Sequence, residues 1–271
     1  ITGGQYTALN AAYGSQNTTT SINTKLTVNI RALLPRFTYM STNQLLGATV
    51  GFTALLPLME QKTELGVGSI SSTLPAGVPT GLAAIPNSVA ATSAAATASD
   101  HTGRKFGIGD LEVAPIFRWN RDPDQIIFVP TVILPTGKYD AARAANPGAG
   151  KFYTFRPSVQ YSHIGDGWDL GARFSYSINT RNKDTDYKSG NYVNIDFALM
   201  KSLSDAFRVG LQGYIVYQVT RDAKDGTPDS AEAATLASKG HVTALGPSVA
   251  WIKGAGELLV VRPGQAFEEK R

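Results

Sequence analysis

The 271-residue chain predicts an all-β fold, an antiparallel up-and-down barrel that crosses a membrane with its strands. Three observations lead there. From Lys25 onward apolar and polar residues alternate with period two, the pattern of strands with one apolar and one polar face. Short turns and long polar connections alternate along the chain, as in a barrel inserted from one side of a bilayer. The strands run to about 12 residues, enough for the 9–11 that a tilted membrane strand needs, and Lys is scarce in their interiors while aromatic residues flank the short turns.

Strands are expected at 25–40, 46–60, 107–119, 125–136, 151–163, 168–180, 191–202, 207–220, 242–252 and 257–263, with a weaker one within 5–14. In "FRVGLQGYIVYQVT", Phe207, Val209, Leu211, Ile215, Tyr217 and Val219 oppose Arg208, Gly210, Gln212, Tyr214, Gln218 and Thr220. "WDLGARFSYSINT" and "YVNIDFALM" repeat the alternation. Turns are expected at "STNQ" (41–44), "NRDPD" (120–124), "IGDG" (164–167), "LSDA" (203–206) and "KGAG" (253–256). The long connections fall at 61–106, 137–150, 181–190 and 221–241. Tyr39, Trp119, Tyr161, Trp168, Phe207 and Trp251 would form an interfacial girdle.

The chain reads as one domain over 1–271. Residues 1–24 would add a first strand or fold into the lumen as a plug. The Ala/Ser/Thr/Gly-rich stretch 61–106 is expected as a long extracellular loop, either a flap over the pore mouth or a mobile segment. Ile1 resembles the start of a processed or trimmed chain, since neither an initiator Met nor a signal segment precedes it.

Composition narrows the function. Charged residues are 17% of the chain, below the roughly 25% of ordinary soluble domains, and hydrophobic ones 42%. A net charge of +4, scattered along the chain, does not suggest nucleic acid as a partner. No stretch is apolar for the ~18 residues a membrane helix needs. Cys is absent, which excludes a disulfide framework and thiolate metal sites. Hydrolase, P-loop and dinucleotide fingerprints are also missing. Ser162 and His163 are adjacent on a strand and point to opposite faces, so they cannot form a dyad. "RDAKDGTPDS" could hold Ca²⁺ through Asp222, Asp225 and Asp229, although such loops are more often simply solvated. The reading is a non-enzyme with no cofactor and no metal.

The polar strand faces supply a candidate lumen lining: Asn29, Arg31, Asp110, Glu112, Arg118, Arg156, Gln160, Asp169, Arg173, Asn194, Asp196, Arg208 and Gln212. Both charge signs are present. They would either pair and fill the interior or select permeants, with Arg drawing anionic groups.

"IIFVPTVILPTGKYD" (126–140) poses a separate problem, because it is strand-like yet holds two prolines. Pro35, Pro57, Pro115, Pro130, Pro135, Pro157 and Pro247 all sit within or at the ends of expected strands, as does Pro263. Each removes a ladder donor, and a closed barrel has no edge strand to tolerate the loss. Bulges or kinks must absorb them. They either bend strands to shape the wall or open a lateral portal between lumen and bilayer.

The sequence "GIGDLEVAPIFRW … IIFVPTVILPTGKYD … NPGAGKFYTFRPSVQYSHIGDGWDLGARFSYSINT" resembles the outer-membrane channel family associated with the meta-cleavage pathway of phenol degradation. The matching elements are Gly109-Asp110 with Pro115, "LPTGKYD" at 134–140, Asn146-Pro147-Gly148 and "PSVQYS" at 157–162. They cover most of 107–180, with looser agreement from about 24 to 262. The resemblance implies a monomeric barrel of about twelve strands, an obstructed lumen and uptake of hydrophobic, including aromatic, compounds. Two features depart from the family. The 64–106 stretch has no equivalent, and the chain ends at "FEEKR" without an aromatic closing strand, so either a strand is missing or the strand count is off.

The combined expectation is a passive channel in the outer membrane of a Gram-negative bacterium. Its partners would be the lipid bilayer, lipopolysaccharide and small hydrophobic cargo, with detergent able to occupy the lumen. A narrow porin for small hydrophilic solutes is the first alternative, and a soluble or surface ligand-binding β-domain the second.

Overall fold

The computed structural model describes residues 19–74, 80, 84–224, 227–228, 239–253, 256–261 and 266–268. The expected strand at 5–14 lies outside them, as do residues 1–18 of the segment 1–24 expected as a first strand or plug; residues 19–24 open a strand. The elements run β1 (Thr19–Leu33), β2 (Arg36–Leu45), β3 (Ala48–Leu55), β4 (Leu58–Thr73), helix α1 (Ala84–Asp100), β5 (Gly103–Ile108), β6 (Leu111–Arg121), β7 (Asp124–Leu134), β8 (Thr154–Gly165) and β9 (Trp168–Asn179). There follow β10 (Tyr187–Lys188), β11 (Tyr192–Ser204), β12 (Phe207–Gln218), β13 (Ala223–Lys224), β14 (Thr227–Pro228), β15 (His241–Lys253), β16 (Gly256–Val261) and β17 (Ala266–Glu268).

These elements divide between two compact units. The larger unit spans Leu34–Pro57, Gly109–Gly137 and Gly148–Arg271. Its sheet has the order β16-β15-β12-β11-β9-β8-β7-β6-β3-β2, with β17 also pairing β15. The pairings are antiparallel, and apart from β3 and β6 the long-strand neighbours in the sheet follow one another in the chain. This meander is what alternating apolar and polar residues joined by two-residue turns produce. The Asp166-Gly167 turn has φ of 52° and 72° and Leu46-Gly47 has 51° and 74°, the left-handed pairs that suit the strand twist.

The smaller unit comprises Ile1–Leu33, Leu58–Ile108 and Lys138–Pro147. Its sheet is β1-β4-β5. Arg104 bonds Glu60 across β4 and β5, through Nε at 2.9 Å and Nη2 at 2.7 Å. Helix α1 lies against β4 and β1, burying Ala90 and Ala94, which share one helix face at i and i+4.

Three sequence expectations change. Each of the expected strands 25–40, 46–60 and 107–119 is divided in two, at Leu34-Pro35, Leu56-Pro57 and Gly109-Asp110, where the chain passes from one sheet to the other. Residues 61–106 are not a long loop: β4, α1 and β5 occupy most of the stretch. Its Ala content favours helix intrinsically, but small residues write no apolar stripe. Third, "STNQ" is not a turn. It is a register shift within β2 between Met40 and Gln44, with Asn43 N–H donating to Ser41 Oγ at 3.1 Å.

Candidate functional site

Register alone places two rows of residues on opposite faces of the larger sheet. One row crosses Thr49, Arg118, Ile127, Gln160, Arg173, Asp196 and Tyr214. The other crosses Tyr39, Phe52, Pro115, Pro130 and Pro157. Because side chains alternate faces, the first row marks a polar face and the second an apolar one. Large apolar side chains on the second face are exposed: Phe155 44%, Val159 47%, Phe174 49% and Leu211 46%.

The polar face is laced by ion pairs. Arg173 donates to Asp196 Oδ2 from Nε at 2.9 Å and Nη2 at 2.6 Å. Asn194 Nδ2 donates to the same oxygen at 2.7 Å. Arg156 pairs with Glu112 diagonally over β7, and Arg208 with Asp169 diagonally over β11. Gln160 Nε2 reaches Ser162 Oγ at 3.1 Å. Gln212 lies on the same face, opposite Ala198 and Gly246.

Glu112, Arg118, Arg156, Gln160 and Arg173 converge on a cavity of about 330 Å³. Met40, Leu55, Ile116, Ile127 and Val129 also line it, as do Arg36 and a group of Ser and Thr hydroxyls. This apolar side was not apparent in the sequence as lining. Its signal is β7 itself: "IIFVPTVIL" is apolar on both faces, so one apolar set must face the polar side.

The prolines have distinct positions. Pro130 pairs with Pro157 across β7 and β8. Pro115 stands opposite Pro130, inside a gap where β6–β7 pairing lapses between Val113↔Val132 and Phe117↔Phe128. Pairing of β8 with β9 lapses likewise between Phe155↔Ile178 and Ser158↔Ser175, spanning Pro157. Pro115 and Pro130 cannot exchange the two N–H···O bonds of a close pair, so the β6–β7 ladder stays open there, whereas β7 and β8 remain paired through Pro130 and Pro157. The rings of Phe117 and Phe128 stack beside the first gap, 6.1 Å between centroids.

Pro35 and Pro57 stand where the chain changes sheet. Their carbonyls are engaged, accepting Leu56 N–H at 3.1 Å and Gly109 N–H at 2.7 Å respectively. Pro135 follows the last residue of β7 and is outside the strand. Pro247 pairs with Leu211 in an unbroken ladder. On its other side it falls between the stretches of β15 that β17 and β16 cover.

Other expected positions are redistributed. Asn29 and Arg31 lie on β1, in the β1-β4-β5 sheet, opposite Lys62 and Glu60. Asp110 is a clamp rather than lining: its carboxylate accepts Gly137 N–H at 2.9 Å and Ala149 N–H at 2.8 Å. There the two glycines touch, since a Cβ on Gly137 would meet Gly148 Cα at 2.5 Å. Trp119, Trp168, Phe207 and Trp251 lie within two residues of strand ends at short turns. Trp119 Nε1 donates to Leu46 O at 3.1 Å, and Lys201 Nζ sits 4.6 Å from the Trp168 ring. Tyr161 donates to Asp124 at 2.7 Å, and the same oxygen lies 2.9 Å from His163 Nδ1. Tyr39 is not at a turn; it belongs to the proline row, because the β2–β3 turn falls at 46–47. Asp222 is engaged by Tyr187 OH, Gly190 N–H (2.6 Å) and Gln218 Nε2 (2.7 Å), while the side chains of Asp225 and Asp229 lie outside the described residues.

Residues 9–270 match the family described as "Putative MetA-pathway of phenol degradation". Among solved structures, the crystal structure of an outer membrane channel from Pseudomonas putida F1 is similar, with a TM-score of 0.56 at 13% identity. That likeness covers 93% of this chain and 79% of the other, and it is one of fold. None of the curated proteins matches.

Proposed function

This chain belongs to the MetA-pathway phenol-degradation family, and from that premise we propose that it is a passive outer-membrane channel for small hydrophobic molecules. In this reading the larger sheet closes into a barrel of about twelve strands in the outer membrane of a Gram-negative bacterium. The exposed apolar face meets lipid and lipopolysaccharide, and the polar face lines the lumen. A gradient of the cargo drives transport.

One observation carries the reading: the cavity backs onto the proline row. Ile116, Val129, Thr131, Arg156 and Ser158 line it, and each is the chain neighbour of Pro115, Pro130 or Pro157. A molecule in the cavity is therefore separated from the apolar face by wall whose ladder is already open between β6 and β7 and between β8 and β9. Prolines in a sealed wall would leave carbonyls without partners in hydrocarbon, at several kcal/mol each. An opening for apolar cargo gives that cost a use.

Replacing Pro115, Pro130 and Pro157 together by Ala restores three donors. Uptake of a fluorescent apolar probe into proteoliposomes should fall, while conductance of small ions stays within about twofold, the change expected when the lumen itself is untouched. Unchanged probe uptake in a folded variant would defeat the lateral route.

The dense ion pairs of the polar face favour a second reading, a narrow porin for hydrophilic solutes. Large, steady conductance with rapid liposome swelling in small sugars would establish it over the first.

A further inference from the structure

The charges around the cavity do not balance. Arg156, Arg173 and Arg208 each have a carboxylate partner on the polar face. Arg118 does not: among the described residues it makes no ion pair or hydrogen bond, and its Nε is buried without a partner. Its cross-strand neighbours, Thr49 and Ile127, carry no charge that could serve. Arg36 lines the same cavity, so beyond the Arg156–Glu112 and Arg173–Asp196 pairs the lining carries two further guanidinium groups, Arg118 and Arg36, and no further carboxylate.

Beside this excess of positive charge lies the apolar set Ile116, Ile127 and Val129. A neutral hydrophobe would cover these side chains but leave Arg118 desolvated and unpaired, which is costly. A multiply charged sugar acid or nucleotide would satisfy the charge and bury polar surface against isoleucine and valine. An apolar body carrying one carboxylate answers both demands, because guanidinium and carboxylate pair through two parallel hydrogen bonds. About 330 Å³ is at the small end of ligand sites, suited to a single ring.

We propose that the cavity binds small apolar monocarboxylates, an aromatic acid being the best fit, with the carboxylate on Arg118 and the ring on Ile116, Ile127 and Val129. This rests on the channel reading above and names the preferred cargo within it.

The test uses the whole protein and three probes: benzoate, benzyl alcohol of nearly the same shape without the charge, and potassium chloride. Equilibrium dialysis of detergent-purified protein should show saturable benzoate binding that benzyl alcohol does not displace. Arg118→Gln should weaken it at least tenfold, Arg118→Lys should recover part of it, and Arg121→Gln, at the β6–β7 turn, should leave it unchanged. In planar bilayers under a potassium benzoate gradient, the reversal potential should report benzoate preferred over K⁺ in the wild type. Arg118→Gln should lose that preference.

Equal benzoate binding and selectivity in wild type and Arg118→Gln would overturn the assignment while potassium chloride conductance kept the channel reading alive. Absence of any conductance in the wild type would overturn both. Should Arg118→Gln fail to fold, the wild-type dialysis decides: no saturable benzoate, or displacement by benzyl alcohol, overturns the proposal.

Discussion

Pro130 faces Pro157 across two paired strands, and Pro115 faces Pro130 from the other side. Three adjacent strands thus lack a donor at the same level of the sheet. One such proline would be a local irregularity; the aligned set makes a weak seam.

Amide hydrogen exchange should report the seam directly. In the Pro115→Ala, Pro130→Ala variant the new amides should be protected as β6–β7 pairing closes, with stabilisation of about 1 kcal/mol per bond gained. Rapid exchange at both new amides would show that the strands are held apart by something other than the missing donors.

The assignment of faces is open to charge insertion. Leu211→Arg and Val159→Arg place a cation on the exposed apolar face, and each should cost about 2–4 kcal/mol near mid-bilayer. Gln212→Arg, one residue along on the other face, should cost far less. Urea titration of folding into lipid vesicles gives the comparison, and a greater cost for Gln212→Arg than for the other two would mean that the faces are inverted.

Asp169 and Arg208 form a diagonal pair in which both side chains are largely covered, 20% and 27% exposed. Each single change, Asp169→Asn or Arg208→Gln, should destabilise by roughly 1–3 kcal/mol, because it leaves the other charge without its partner. The double variant should recover part of the loss. Additive losses in a double-mutant cycle would show that the two do not interact.

Asp110→Ala removes the acceptor for two backbone N–H groups. Limited proteolysis should then cut within 135–150 at least several-fold faster, in line with the roughly 1–3 kcal/mol of an unsatisfied donor. Gly137→Ala should do the same by a different route, since its methyl group would overlap Gly148. Unchanged cleavage in both would mean that the clamp does not hold this segment.

Much of this was legible in the sequence because it depends on alternation. The long strands from β7 to β15 fall within a few residues of the expected spans, and Arg173–Asp196 and Arg208–Asp169 join residues already assigned to one face; the two-residue strands β10, β13 and β14 fall in stretches expected as connections. What could not be read depends on register. The sequence contains Pro115, Pro130 and Pro157, but nothing in it says that they share a level; that follows from how each turn sets its strand. The same ignorance placed Tyr39 beside a turn. Asp110 looked like lining because it sits one strand period from Glu112, yet the strand begins at Leu111 and its parity does not extend back. Helix α1 was missed for a compositional reason: Ala90 and Ala94 pack by being small, and the usual search looks for large apolar residues at helical spacing.

The contact between Gly137 and Gly148 has a further consequence for how the chain can change. Where two stretches of backbone touch and one carboxylate ties both, the ten residues between them leave and return at nearly the same point. Lengthening such an excursion adds little entropy cost, since closure grows only with the logarithm of length. Within 138–147 the exposed positions 141–143 are thus a natural place for insertions, reporter tags or grafted epitopes, provided Gly137, Gly148, Asp110 and the buried Ala145 are kept.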